Sequence, residues 1–242
     1  PDPIWGERRE LGSRVELAGA AAERPTGSER PAVPEWALRP MGPEPRPPRP
    51  LAPSSAGEDT SATPPLPAGT AMEAARRGTL VHRLFERLPE LPPAERENAA
   101  LRWLERQAGD IPLMMHREMV RSVLEVLETP EWENIFSPAA LAEVPLAAVV
   151  GGQVIAGTAD RLLVDAREVL IVDFKTTARP PSNLGEIPVA SLRQMAAYVA
   201  ALERIYPGRE IRAALLYSHA PRLIALPPEV IAAHKAALSP AQ

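Results

Sequence analysis

Two short runs rich in β-branched and aliphatic residues constrain the fold of this chain more than any other feature. They cover residues 154–164 and 169–174, and a polar segment, residues 165–168, lies between them. Residues of this kind favour strands, and a short polar segment between two strands favours a tight turn. The sequence therefore predicts a β-hairpin.

The register of this hairpin would bring two carboxylates together. If Ala166 and Arg167 form the loop, Asp160 lies directly opposite Asp173, and opposed residues have Cβ atoms about 4.5–5.5 Å apart. Lys175 returns to the same face two residues further along the strand. Like charges opposite each other destabilise a sheet, so we expect such a pair to share a proton or to hold a cation.

Carboxylates and a lysine in this arrangement favour one kind of chemistry. Hard divalent ions such as Mg²⁺ take oxygen ligands, commonly carboxylates together with substrate phosphates. A lysine beside them can orient or deprotonate a water molecule, or neutralise charge that develops on a phosphate. Asp160, Asp173 and Lys175 therefore outline a site for phosphodiester hydrolysis. The alternative is an exposed face with solvated charges, and a one-residue bulge would destroy the register.

A third strand could add a further carboxylate to the same row. Residues 141–150 form a predicted strand that a Gly-Gly turn joins to the next one,. This register sets Glu143 opposite Asp160, in line with Asp173. Pro145 indicates that the strand is an edge strand or carries a bulge. Glu143 is therefore a secondary candidate, and the alternative is a solvated glutamate at the edge of the sheet.

The composition of the chain divides it into two parts. Half of its 30 prolines fall within the first 67 residues. Residues 1–69 are therefore predicted to form a proline-rich extended segment, a linker with Trp5 and Trp36 as anchor points. A proline-rich ligand for a recognition domain is the alternative. Residues 70–242 form the predicted folded domain, and a start at Pro1 indicates part of a longer protein.

The remaining patterns predict an α/β protein with a mixed central sheet flanked by helices. Thr70 begins a Thr-x-x-Glu capping box ahead of a helix that runs to about Leu88,. His82 lies on that helix and, taken alone, is more simply interpreted as a partly buried histidine than as a ligand. Further helices are predicted over residues 94–108, 113–128 and 189–206 and after Pro228, and further strands over residues 211–217 and 223–226.

Charge and composition exclude several classes of protein. The chain has no cysteine, which excludes disulfides, thiolate zinc sites and iron–sulfur clusters and is compatible with a reducing cytosol,. No phosphate-binding Gly-x-x-x-x-Gly-Lys motif occurs, so no ATP site is expected in this chain. No apolar run is long enough to span a membrane. The net charge of −4 gives no overall basic surface, so a nucleic-acid partner requires a local groove or another chain,.

Five segments, in this order, carry a resemblance to a known family. The chain resembles the RecB-type branch of the PD-(D/E)XK (restriction-endonuclease-like) nuclease superfamily over about residues 72–226. Each segment is weak by itself, but the ordered set is specific. The segments are Gly78-Thr79-Leu80-Val81-His82, Glu143-Val144-Pro145, Gly157-Thr158-Ala159-Asp160-Arg161, Val172-Asp173-Phe174-Lys175-Thr176 and Gln194-Met195-Ala196-Ala197-Tyr198.

This resemblance implies roles for particular residues. The implied ligands of a Mg²⁺ ion are His82, Asp160, Asp173 and the backbone carbonyl of Phe174. Mn²⁺ is an expected substitute, because imidazole is a softer ligand than Mg²⁺ prefers. Lys175 would position the attacking water. Gln194 and Tyr198 would help to place the DNA strand and support the site.

The resemblance also implies a cellular setting. The expected activity is hydrolysis of single DNA strands that a helicase part of the same parent protein delivers during double-strand break repair. An AddB-type subunit is the expected protein partner, and the bacterial cytoplasm, at the nucleoid, is the expected location. Two alternatives stay open: a catalytically silent docking module of the same fold, and a different metal-dependent hydrolase on a similar sheet.

Overall fold

The computed structural model of the chain describes residues 33–38, 50–53, 68–177 and 179–236. It divides into two compact units, Pro1–Arg46 and Pro47–Gln242. In the first unit, Glu35–Leu38 forms a single helical turn, α1. Trp5 and the side chain of Trp36 lie outside the described residues, so their role as anchors stays a prediction, as does the domain boundary after residue 69.

Three helices precede the sheet. They are α2 (Ala68–Arg87), α3 (Pro93–Gln107) and α4 (Leu113–Leu127), with 3₁₀ turns at Leu88–Glu90 and Pro130–Phe136. The predicted capping box was wrong, because α2 begins at Ala68 and Thr70 lies inside the helix. Leu84 and Phe85 of α2 are almost completely buried, so this helix packs an apolar face into the core.

The second unit is built on one mixed sheet of five strands among the described residues. The strands are β1 (Ala140–Val150), β2 (Gln153–Val164), β3 (Glu168–Lys175), β4 (Glu210–Tyr217) and β5 (Arg222–Leu226). They lie in sequence order, and all neighbours are antiparallel except β3 and β4. A parallel pair needs a crossover, which here is α5 (Val189–Ile205),. The chain is therefore an α/β protein, as predicted.

Helices cover both faces of this sheet. Val172 and Phe174 of β3 pack in the core formed with α2, α3 and α4. Val169 and Ile171 pack in a second core with α5 and with α6, which is Pro228–Lys235. Because side chains alternate along a strand, Asp173 and Lys175 belong to the face that α5 covers. Among the described residues, no helix is long and apolar enough to cross a membrane.

The predicted registers on both sides of β2 are confirmed. Arg161 pairs with Val172 across the β2–β3 hairpin, and Val144 pairs with Ala159 across β1 and β2. The β2–β3 ladder ends at the Arg161–Val172 pair, one step before Asp160. The two strands therefore separate where the predicted site begins.

We call the point at which β2 and β3 separate the fork. Beyond the fork, part of the proline-rich segment lies along the side of β2 that β3 has left. The Leu51 N–H donates to the Val154 carbonyl at 2.7 Å, and the Ala156 N–H donates to the Leu51 carbonyl at 3.0 Å. Pro53 is buried. One short section of the predicted linker is thus joined to the sheet as an additional parallel bridge.

Candidate metal and catalytic site

Asp160 lies at the fork between β2 and β3, and its two oxygens have different partners. Oδ2 accepts a hydrogen bond of 2.6 Å from the backbone N–H of Phe174. The carboxylate thus supplies an acceptor to β3 where the strand ladder has ended. Oδ1 lies 3.3 Å from Nδ1 of His82. The fork therefore holds Asp160 in place and directs one oxygen toward α2.

His82 reaches Asp160 because α2 lies close to the end of β3. A Cβ at Gly78, one turn before His82, would be only 3.1 Å from Oγ1 of Thr176. The His82 ring also meets the Phe174 ring edge-on, with centroids 5.7 Å apart. Burial lowers the pKa of His82, but the hydrogen bond and the charge of Asp160, together with nearby carboxylates, outweigh it and raise that pKa overall. The site is therefore electronegative.

Glu143 has an unusual backbone conformation opposite Asp160. Its φ of +49° is the one positive value at a non-glycine residue within the described part of the chain. The pairs Ala142–Arg161 and Val144–Ala159 keep the same register on either side of it, so the predicted possibility of a bulge is not realised. This conformation costs roughly 1 kcal/mol or more, and strain of this kind is concentrated at functional sites.

The three residues His82, Glu143 and Asp160 form a group that could hold a metal ion. One ligand atom from each lies within 4.8 Å of the others, and all three side chains are partly exposed. Burial, and then the charge of Asp160, raise the pKa of Glu143. The secondary candidate of the sequence thus lies in the group, whereas Asp173 lies outside it.

The buried Asp173 instead forms a partly buried network with Lys175 and Gln194. Its Oδ1 accepts a hydrogen bond of 2.9 Å from Nε2 of Gln194, whose Oε1 accepts one of 2.8 Å from Nζ of Lys175. Asp173 Oδ2 lies 2.8 Å from Nζ of Lys175, yet this ion pair lacks hydrogen-bond geometry, and the buried oxygen has no hydrogen-bond partner. Burial raises the pKa of Asp173 to about 6, against the opposing charge of Lys175.

Tyr198 supports β2 from α5. Its hydroxyl donates a hydrogen bond of 2.6 Å to the backbone carbonyl of Thr158. Burial raises the pKa of Tyr198, so the phenol stays protonated as a donor. A Cβ at Gly157 would lie 3.3 Å from the Tyr198 ring and 2.8 Å from Cδ of Pro53. Gly157 is therefore required for the close approach of both groups.

Sequence reasoning missed two residues beside the site. Arg161 is 4% exposed, donates to the Phe85 carbonyl and lies over the Phe136 ring at 5.4 Å, so it ties α2 to β2 next to Asp160. Strand alternation could have indicated this, because it turns residue 161 away from the Asp160 face and toward the helices. Tyr217 pairs with Lys175 across β3 and β4, and its buried hydroxyl has no partner. No pattern in the sequence indicated that register.

The donor set is suited to a divalent cation. Two carboxylates and an imidazole lie within 4.8 Å of one another, and the buried Oδ2 of Asp173, which is ion-paired with Lys175 at 2.8 Å, is a further oxygen on the sheet. Repulsion from the charge of Asp160 is among the causes of the raised pKa of Glu143, and a cation would relieve this repulsion. The ligand role of the Phe174 carbonyl stays a prediction.

Fold and site together define a class of protein. It is an α/β protein whose mixed sheet carries a group of acidic side chains that could hold a metal ion, together with an ion pair between the buried Asp173 and Lys175. The comparison with protein families agrees with this description. The chain belongs to the PD-(D/E)XK nuclease superfamily, whose model matches residues 61–239.

Comparisons with individual proteins give only distant similarity. No curated protein matches the sequence. Among solved structures, a protein from Eubacterium rectale named "putative exonuclease" has a TM-score of 0.48 and 11% identity, covering 69% of this chain and 63% of that one. A protein named SSO0001 has a TM-score of 0.29 and 15% identity, covering 69% and 84%. This chain thus spans less than two thirds of the first of these proteins.

Proposed function

We propose that this chain is a metal-dependent deoxyribonuclease module that hydrolyses phosphodiester bonds in single strands of DNA. The observation that carries the proposal is the His82–Glu143–Asp160 group, whose two carboxylates lie on the sheet that also carries the Asp173–Lys175 pair. Membership of a nuclease superfamily supports it. A silent docking module would not need a lysine paired with a buried carboxylate.

The ligand group would hold Mg²⁺, with Mn²⁺ as a substitute. His82, Glu143 and Asp160 would provide one atom each, and Oδ2 of Asp173 is the further oxygen available. Such an ion lowers the pKa of a bound water and stabilises negative charge on the phosphate. Glu143 extends the ligand set that the resemblance implied.

Lys175 is placed to act on a water molecule or on a phosphate oxygen. An ammonium group has three N–H donors. Gln194 accepts a hydrogen bond from Nζ, and the side chain is 24% exposed, so N–H donors remain for the substrate. Gln194 fixes both partners, because its amide donates to Asp173 and accepts from Lys175. The role of Lys175 is thus to orient the nucleophile or neutralise charge as it develops.

We also propose, on the basis of the sequence motifs, that the chain is part of a larger assembly. It corresponds to the C-terminal nuclease domain of an AddA-type helicase–nuclease, acting as an exonuclease in double-strand break repair by recombination in the bacterial cytoplasm, at the nucleoid. The ordered segments and the preceding proline-rich region support this assignment. ATP hydrolysis would belong to the helicase part, and an AddB-type subunit would be the partner.

The experiment compares four proteins on end-labelled single-stranded DNA with Mg²⁺, Mn²⁺ or EDTA. Asp160→Asn and Lys175→Ala should each lower the cleavage rate about 100-fold or more. Lys235→Ala is the matched control, since Lys235 pairs with Glu203 on the surface, and it should cut like the unsubstituted chain. Calorimetry should show that Lys175→Ala still binds Mn²⁺ and that Asp160→Asn binds it more weakly. Equal cleavage by all four proteins would refute the proposal.

A further inference from the structure

We propose that the carboxyl ends of β3 and β4 open into a basic groove that binds the phosphate backbone of the DNA strand next to the bond being cut. This rests on the proposed function and extends it by naming the surface that holds the substrate. The groove is formed by Arg77, Arg121, His219 and Arg222. None of them was a predicted site residue.

The groove begins where the catalytic lysine ends β3. Lys175 pairs with Tyr217, and the Ser218 N–H donates to the Lys175 carbonyl at 3.0 Å. His219 is therefore the next residue of the chain beyond this contact, and it is exposed. The carboxyl ends of parallel strands in open α/β sheets are the usual location of ligands. A strand held at Lys175 would continue over His219.

Arg77 joins this edge of the sheet to α2. Its neighbour Gly78 packs against Thr176, which directly follows Lys175. Nη2 of Arg77 lies 3.3 Å from Nδ1 of His219. With Nδ1 accepting, the His219 ring carries its proton on Nε2 as a second donor. The side chains of Arg77 and His219 thus form a rim rich in hydrogen-bond donors beside the end of β3, where Lys175 lies.

The groove continues past His219 toward α4. A cavity of about 420 Å³ is lined by Arg121 of α4, His219, Pro180 and Arg222. Nη1 of Arg222 donates to the Pro181 carbonyl at 2.9 Å, which holds the guanidinium at the groove while its other N–H groups stay available. Glu125 is the one carboxylate in this lining.

Within the described part of the chain, Arg77 and Arg121 keep their guanidinium groups without an acidic partner, unlike three other surface arginines. Arg76, Arg83 and Arg212 are paired with Asp110, Glu86 and Glu168. Among the described residues, no such ion pair involves Arg77 or Arg121. The guanidinium fork is well suited to phosphate oxygens. A chain with a net charge of −4 needs a local basic groove to bind nucleic acid,, and these residues provide one.

The test measures binding of a fluorescent single-stranded oligonucleotide by anisotropy, in EDTA so that no DNA is cut. The full chain, Arg77→Ala, Arg121→Ala and the control Arg204→Ala are titrated between 50 and 200 mM NaCl. Arg204 is an exposed arginine of α5 outside the groove. Each groove substitution should reduce the slope of log affinity against log salt by about 0.7, a change of about 2.6-fold over this range. Arg121→Lys should restore most of the slope.

The outcomes separate this proposal from the proposed function. Equal slopes for Arg77→Ala, Arg121→Ala and Arg204→Ala would overturn the groove, as would no binding by the unsubstituted chain. Cleavage with Mn²⁺ is then measured on the same proteins. If the slopes change as expected but the unsubstituted chain cuts nothing, the groove stands and the nuclease assignment fails. If it cuts and the groove variants keep its KM, the groove fails alone.

Discussion

Asp160 connects the backbone of the sheet to the candidate metal site. Its Oδ2 accepts from the Phe174 N–H and its Oδ1 faces His82. One carboxylate therefore both closes the fork between β2 and β3 and provides a possible ligand atom. Asp160→Asn can keep one acceptor for Phe174 while it removes the charge, so this substitution tests ligation more cleanly than Asp160→Ala.

Glu143 is the residue at which strain and ligation can be separated. Glu143→Ala and Glu143→Gly both remove the carboxylate, so both should weaken Mn²⁺ binding to the same extent. Only glycine relieves the positive φ of 49°, and it should leave the chain more stable than alanine does by roughly 1 kcal/mol. Calorimetry with Mn²⁺ and denaturant unfolding in EDTA measure the two effects.

Glu143→Gln is the control for the charge alone, because it keeps the side-chain length and the strain. It should lose Mn²⁺ affinity and have the backbone strain of the unsubstituted chain. If Glu143→Gly is no more stable than Glu143→Ala, then the positive φ does not describe the protein in solution. If all three variants bind Mn²⁺ normally, Glu143 is not a ligand.

At the scale of elements, the free half of β2 is completed by the proline-rich segment rather than by β3. Leu51 makes two backbone hydrogen bonds to β2, and Pro53 packs where Gly157 leaves space beside Tyr198. Thr158, whose carbonyl Tyr198 binds, lies two residues before Asp160. Docking of this segment thus stabilises the part of β2 that leads into the site.

Gly157→Ala should disturb this docking. Its Cβ would lie 2.8 Å from Cδ of Pro53 and 3.3 Å from the Tyr198 ring, and overpacking of this kind costs about 1–3 kcal/mol. The free energy of unfolding should fall by that amount. Limited proteolysis near Leu51 should become faster, because the segment would leave the sheet more often.

Pro53→Ala provides the matching test, since it removes the ring atoms nearest to Gly157. The double variant should be more stable than the sum of the two single changes predicts, by 0.5 kcal/mol or more, as expected for residues in contact. Strict additivity would show that Pro53 and Gly157 do not touch.

Secondary-structure elements and strand registers could be predicted from the sequence, whereas the backbone conformation of Glu143 and the bridge formed by Leu51 could not. Turn positions and strand alternation together determine the β2–β3 register, which could be predicted from the chain alone. The direct opposition of Asp160 and Asp173 could not, because the ladder ends at the Arg161–Val172 pair. The positive φ of Glu143 leaves no trace in residue types, because glutamate gives no signal for this conformation. The Leu51 bridge depends on a gap that exists only after β3 has separated from β2. Such tertiary effects are absent from local patterns.

At the scale of the whole molecule, the site makes the stability of the metal-free chain depend on pH. Carboxylates and an imidazole are brought together and partly buried, and the pKa values of Asp173, Glu143 and His82 are all raised. The folded chain therefore binds protons more strongly than the unfolded chain does. By linkage, its stability falls as the pH rises through these values.

The pH window follows from the individual groups. The contribution of Asp173 is fully present below its ordinary pKa of 3.8 and is lost as the pH rises through about 6. The contribution of His82 is present below 6.5 and is lost above its raised pKa. Asp110 and Asp165 have lowered pKa values and act in the opposite direction, but below pH 4 and at exposed positions. Between pH 5 and 8 the groups of the site therefore determine whether the stability of the fold rises or falls with pH.

We therefore expect the chain in EDTA to lose stability from pH 5 to pH 8, with Asp173 contributing roughly 1.4 kcal/mol, because only about one pH unit separates pH 5 from its pKa of about 6,. Asp173→Asn should remove much of this slope, because asparagine does not titrate. Mn²⁺ should reverse it above pH 7, since an ion at 100 times its Kd stabilises the folded state by about 2.7 kcal/mol. Thermal unfolding at four pH values, with and without Mn²⁺, measures both effects. A metal-free chain that becomes more stable between pH 5 and 8 would contradict the proposed burial of charge, because repulsion among these carboxylates can only weaken the fold as they ionise.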